Sequence, residues 1–297
     1  MIKHEFGGEW TTEKLSCLKE YLTQYTKILR NNERAKYFSL TYVDAFAGTG
    51  YRSASKKEST TAIPLLDLDD EDRANYLKGS ARIALEIEPP FHWYLFLERK
   101  AGYTRELERL KLDYPFKASK IKVVQADANT YLKNWCETTD WKKNRAVVFL
   151  DPYGMQVEWS LIEAIAKTKA IDLWWLFPLG VSTIRMLTKD EMPPKEWSDI
   201  LTRTFGTEEW KNEFYPERKV QMLWGEEDQR CRNVEFENVG NYIVKRLKTI
   251  FPGVVERPLQ LCNSRNNPLY LLCFAAGNPK GAKTALNIAK YILDHSV

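Results

Sequence analysis

Four acids sit where chemistry could be done. Asp44 lies inside the apolar run YVDAFAGTGYR (42–52), and Glu98 closes WYLFLE (93–98). Asp127 ends IKVVQAD (121–127), and Asp151 opens Asp151-Pro152-Tyr153-Gly154 after AVVFL. Carboxylates accept hydrogen bonds from hydroxyls and amines, and several together favour a cationic ligand. Gly48 and Gly50 bracket Thr49, so backbone there can approach a ligand with no Cβ in the way. Each residue alone has a plainer reading. Asp127 before Ala128-Asn129 suits a helix cap, Asp44 a buried acid receiving backbone N–H groups, and Asp-Pro a common turn. Their order, one acid behind each of four apolar segments, favours a shared ligand.

The elements that must position them are legible as apolar runs. LTYVDAF (40–46), WYLFLE, IKVVQAD, AVVFLD (146–151) and IDLWWLF (171–177) read as strands. Helical spacing appears between them, in GYTRELERLKL (102–112) and WSLIEAIAKT (159–168), and before them in 11–31, with Leu15, Leu18, Leu22, Tyr25 and Leu29 on one face. That first helix is expected to start at Thr11 or Thr12 with Glu13. Continuous apolar strands alternating with helices predict a parallel sheet covered on both faces. The tail changes pattern: 254–262 and 269–277, separated by NSRNNP, predict a hairpin and so an antiparallel last strand, followed by a helix over 282–293. Trp174 and Trp175 read as core.

The chain of 297 residues is read as a single domain with a helical extension over 1–38, an inserted loop over 51–80 and a helical insertion lobe over 181–250. Net charge is +4, which permits a nucleic-acid partner without demanding one. The segment 181–265 carries fourteen basic and fourteen acidic residues, so it is no basic patch. KASKIK (117–122) and YRSASKK (51–57) are the short basic runs that could meet phosphates, or simply face water. Five cysteines without a C-x-x-C pair argue against zinc and against a disulfide framework. His4, His92 and His295 are far apart and read as surface residues, so no metal site is expected. With a polar N-terminus and no apolar run of about 18 residues, the expectation is a cytoplasmic protein with no membrane partner.

The ligand can be narrowed further. In an open parallel sheet, ligands lie beyond the carboxyl ends of the strands. Glu98 there can accept both hydroxyls of a ribose, Asp127 an adenine amino group, and Asp44 a cationic amine near the glycine turn. Ala45, Phe46 and Ala128 flank these acids and complete the predicted binding set with Gly48 and Gly50. A dinucleotide would want a strict G-x-G-x-x-G and a pyrophosphate at a helix N-terminus. The third glycine is absent and acids surround the turn, so S-adenosylmethionine suits the pattern better than NAD.

That order resembles class I S-adenosylmethionine-dependent methyltransferases: YVDAFAGTG their glycine motif, FLERK their ribose acid, QADAN their adenine turn, and FLDPYG their fourth motif. The resemblance implies a Rossmann-like, mostly parallel seven-stranded sheet with an antiparallel last strand. More closely, the chain resembles the three-Cys-motif partner proteins (TcmP), from GEWTTEKLSCLKEYL through DAFAGTG, ALEI, FLERK and VFLDPYGMQVEW to FAAGNPKGAK. This implies a partner protein bearing three cysteines. Gly50 and Glu98 are forty-eight positions apart, where a ribose acid ordinarily follows by about 20; the 51–80 insertion accounts for the gap. Asp-Pro-Tyr-Gly is similar to the Asp-Pro-Phe-Gly of tRNA guanine-N2 methyltransferases. It implies that Asp151 accepts from an exocyclic amine, Pro152 offers its carbonyl and shapes the turn, and Tyr153 stacks on a base or walls the pocket. The expected reaction is N-methylation of a nucleic-acid base. The rival expectations are an inactive scaffold for the three-Cys protein, and methylation of a protein or small molecule.

Overall fold

The computed structural model describes residues 9–47, 79–152, 154–189, 191–222, 225–230 and 232–296. Gly48, Gly50, Tyr153, the YRSASKK run, Cys231 and nearly all of the predicted 51–80 loop lie outside them.

The first half of the chain alternates as its apolar runs require. Helix α1 (Glu9–Asn31) precedes strand β1 (Ser39–Ala45). Helical residues 79–86, here α2, precede β2 (Trp93–Glu98). Then come α3 (Ala101–Asp113), a 3₁₀ turn (Pro115–Lys120), β3 (Ile121–Gln125), α4 (Ala128–Thr138), β4 (Asn144–Leu150), α5 (Trp159–Lys167) and β5 (Ile171–Phe177). A π-turn over Leu179–Thr183 leads into α6 (Ile184–Met186), α7 (Lys195–Phe205) and α8 (Trp210–Phe214). Strands β6 (Glu217–Met222) and β7 (Gly225–Arg230), helix α9 (Phe236–Lys248), strands β8 (Gly253–Val254), β9 (Leu259–Cys262) and β10 (Pro268–Ala276), and α10 (Ala282–His295) complete the chain.

The main sheet runs β3-β2-β1-β4-β5-β10-β8, with β9 pairing β10 beside that path. Strands β1 to β5 are parallel, and β10 lies antiparallel to β5. It is an open, mostly parallel, Rossmann-like α/β sheet with the expected reversed last strand. Seven strands lie on one path, and the segment read as one hairpin arm supplies both β8 and β9.

The first helix starts at Glu9, ahead of the expected Thr11 or Thr12, because Trp10 is buried and stacks on Tyr270 at 5.2 Å. Its buried stripe is Trp10, Lys14, Cys17, Leu18, Tyr21, Leu22, Tyr25 and Thr26, while Leu15 and Leu29 are only half-buried. The 181–250 segment is not all helical, for β6 and β7 pair as a separate antiparallel ribbon. Helix α9 within it buries Val239, Ile243 and Leu247 in the sheet's core. Trp174 and Trp175 are fully buried on opposite faces of β5, as expected.

Period-two alternation divides the core into two layers. Val43, Leu95, Leu97, Val148, Leu150 and Trp175 face α4, α5, α7, α8 and α9. Tyr42, Tyr94, Phe96, Phe149, Trp174 and Phe274 face α1, α2, α3 and α10. Asp44, Glu98, Asp151 and Asp172 share the parity of this second layer.

Asp172 anchors α1 at the far edge of the sheet. Its Oδ2 accepts from Tyr21 Oη at 2.8 Å, and its Oδ1 accepts from Gly277 N at 3.3 Å. Burial pushes its carboxyl up to about 6, against those hydrogen bonds and the Arg145 charge. The folded protein therefore holds this proton more tightly than the unfolded chain. That stability is full below the ordinary carboxylate range and is lost as pH rises through about 6. The melting temperature of Asp172→Asn minus that of the wild type is expected to climb by several degrees between pH 4.5 and 7.5. A gap independent of pH would show that Asp172 does not titrate there.

Candidate active site

The strand order reverses at β1, which sits between β2 on one side and β4 on the other. A crevice opens at such a switch point, beyond the carboxyl ends of the strands. Asp44 pairs in register with Phe96 of β2 and Phe149 of β4. Glu98 and Asp151 each lie two residues further along, so all three acids point to the α1 face. Adjacent strands are about 4.8 Å apart, so the three acids span about 10 Å across the sheet.

All three are removed from water: Asp44 is 1%, Asp151 7% and Glu98 8% exposed. Burial pushes the Asp44 carboxyl up to about 7. Its Oδ2 accepts from Tyr42 Oη at 3.4 Å, and Ser80 of α2 donates to it as well. Burial also raises Glu98, whose Oε1 accepts from the Lys100 backbone N–H at 2.8 Å. Ala45 is buried beneath this edge, and Phe46 turns the chain with a left-handed φ of 68°. That turn is held by the Ala47 N–H, which donates to Leu97 O at 2.8 Å.

Lys14 was not legible as a site residue. Its ammonium is 0% exposed and reaches from α1 to Asp151 Oδ2 at 2.8 Å. It lies 5.3 Å from the Phe149 ring centroid and 5.9 Å from that of Trp10. Burial pulls Lys14 down to about 8 and pushes Asp151 up, and their mutual attraction opposes both shifts. Asp44 adds a second attraction on the same ammonium. One signal was available: Lys14 sits four residues after Trp10 and four before Leu18, on the apolar stripe.

The segment after Asp151-Pro152 is fixed from two sides. Gly154 has φ +74°, in the left-handed region that favours glycine. Asn129 of α4 donates to Gln156 O at 2.9 Å and accepts from Glu158 N at 3.0 Å. Thr183 Oγ1 of the π-turn lies 3.1 Å from Met155 Sδ and 2.8 Å from Pro178 O, and its one proton goes to either.

Asp127 stands at the same edge, after β3, but is exposed and caps α4. Its Oδ1 accepts from Thr130 N at 3.0 Å and Thr130 Oγ1 at 3.1 Å, with Ala128 buried behind it. KASKIK runs into β3 and so lies at the opposite, amino edge of the sheet. There Lys117 donates to Leu85 O and meets Glu88 at 3.4 Å. His92 is half-buried and accepts from Leu40 N at 2.8 Å, a structural role in place of the expected surface one. Among the described residues no helix is long and apolar enough to cross a membrane.

The acceptor set fits a cationic ligand: Asp151 and Asp44 both attract the Lys14 ammonium at the switch point, and Glu98 adds a third buried carboxyl on the same face. A pyrophosphate would meet repulsion there. An amine or sulfonium would not.

No family model matches the chain, and no curated protein does. Among solved structures, the chain is similar to protein LPL1258 of Legionella pneumophila, at 15% identity and TM-score 0.37, covering 68% of this chain and 76% of that one. A candidate S-adenosylmethionine-dependent methyltransferase from Listeria monocytogenes gives 12% identity and TM-score 0.38, over 87% of this chain and 97% of that one. A candidate methyltransferase from Thermobifida fusca gives 11% and 0.36, over 88% and 80%.

Proposed function

We propose that the chain is an S-adenosylmethionine-dependent methyltransferase of class I type that methylates an exocyclic amine of a nucleic-acid base. One observation carries the reading: Glu98, Asp44 and Asp151 share one face at the carboxyl ends of three adjacent parallel strands, at the switch point. When bound, S-adenosylmethionine supplies an electrophilic methyl group on a cationic sulfur. Glu98 holds the ribose hydroxyls, and Asp44 attracts the cationic end. Asp127 takes the adenine amine with the capacity its capping role leaves over.

Asp151 and the Pro152 carbonyl accept the two N–H bonds of the incoming amine, which aims the nitrogen lone pair at the methyl. The proton that the nitrogen would give up on methylation could pass through Asp151 to solvent. No side chain acts as a nucleophile, so the protein contributes orientation and charge. Nucleic acid is the proposed substrate class because an Asp-Pro-aromatic turn suits a flat base with an amine at its edge. A three-Cys-motif protein is the proposed partner.

The scaffold reading draws on one observation of its own, for Lys14 already engages Asp151 Oδ2. Calorimetric titration of cofactor-stripped protein with S-adenosylmethionine and S-adenosylhomocysteine separates the two. Saturable binding of both, followed by labelled-methyl incorporation into RNA or DNA, is expected. No binding of either, with or without the three-Cys partner, would leave the scaffold reading in its place.

A further inference from the structure

We propose that Lys14 is a positioning residue of this site: helix α1 seats its ammonium against Asp151 Oδ2 and so fixes the charge and direction of the carboxylate that receives the substrate amine. The proposal rests on the methyltransferase reading above.

The placement of Lys14 leaves it little freedom. Trp10 stacks on Tyr270 one turn before it, and Leu18, Tyr21 and Leu22 are buried after it. Tyr21 is also tied to Asp172. The ammonium is carried into the core by a helix anchored on both sides of it.

Stability does not account for a lysine here. Burying an ion pair costs about as much as its attraction returns, and apolar replacements of whole pairs are often neutral or stabilising. Methionine or leucine would fill an apolar helix stripe with no such cost. The chemistry does account for it. Asp44 and Asp151 are neighbouring buried carboxyls that repel each other. Without a cation between them they would tend to share one proton. A protonated Asp151 would offer its O–H to the amine lone pair, the electrons that must attack the methyl. The Lys14 ammonium keeps Asp151 an acceptor.

Among the described residues, the titratable groups whose charge or hydrogen bond acts with Asp151 are Lys14 from α1, and Asp44 and Tyr42 from β1. Burial holds the Tyr42 phenol well above its ordinary range, so it stays neutral. The test is carbon-13 NMR of the full chain labelled at aspartate Cγ, with Asp151→Asn to assign the resonance. In Lys14→Met the Asp151 midpoint is expected to rise by about one pH unit or more, a tenfold change in proton affinity. The acid limb of the methyl-transfer pH profile moves up with it, and activity returns at higher pH. An unmoved midpoint overturns the proposal.

Should Lys14→Met fail to fold, Lys14→Gln keeps a donor to Oδ2 without the charge and gives the same reading. On the unaltered chain, Lys14 Nζ and Asp151 Cγ must report each other's titration, and independent titration also sinks the proposal. Failure of the underlying reading looks different: the midpoint moves, but neither S-adenosylmethionine nor S-adenosylhomocysteine binds.

Discussion

Asp151→Asn is expected to lower methyl transfer by about a hundredfold or more while S-adenosylmethionine affinity stays within a few-fold. Asparagine keeps the shape and one oxygen to accept from Lys14 Nζ, which stands 2.8 Å from Oδ2 in the wild type. It loses the negative charge that receives the amine protons. Asp151→Ala is a different experiment. Both variants leave a buried ammonium without its nearest counter-charge, and breaking such a pair from one side costs about 3–5 kcal/mol, but alanine also removes the oxygen to which the ammonium donates. Lower activity in the alanine variant would therefore mix chemistry with unfolding. Calorimetry, a labelled-methyl assay and a thermal melt on both variants separate the two effects. If cofactor binding collapses in a well-folded Asp151→Asn, then Asp151 is a cofactor ligand and the assigned role is wrong.

Gly180→Ala is expected to cost about 3 kcal/mol of stability. A Cβ at Gly180 would stand 1.8 Å from the Pro268 carbonyl oxygen, and backbone cannot rotate out of the way as a side chain can. Either the π-turn after β5 or the start of β10 must shift. The π-turn carries Thr183, whose hydroxyl meets Met155 in the segment following Asp151-Pro152. The strain therefore reaches the turn proposed to accept the amine, and activity should fall further than cofactor affinity. Denaturant unfolding gives the stability change directly, and a melt within one degree of wild type would show that the turn moves without cost.

Much of the frame was written in local patterns. The runs at 93–98 and 171–177 became strands with those same bounds, because five consecutive apolar residues in each can be buried only when both faces are covered. The reversed strand was equally legible, since NSRNNP leaves too few residues for a crossover. The β6–β7 ribbon was missed because GEEDQR (225–230) has no apolar alternation to mark it as a strand. Helix 79–86 was missed because it follows directly on a long polar stretch.

The site divides along the same line. The sequence by itself determined which acids close which strands. It also left open two readings for Asp127, one of which, the helix cap, is what its hydrogen bonds to Thr130 make of it. It could not pair Lys14 with Asp151. Those residues are 137 positions apart, and no local pattern ties Lys14 to a strand end. Its partner depends on how α1 is rotated against the sheet, and the packing of Trp10, Leu18, Tyr21 and Leu22 sets that rotation. Strand and helix periodicities are fixed by residues a few positions apart. The charge balance of a buried site is fixed by whichever side chains the packed layers force together, and tertiary structure alone decided that.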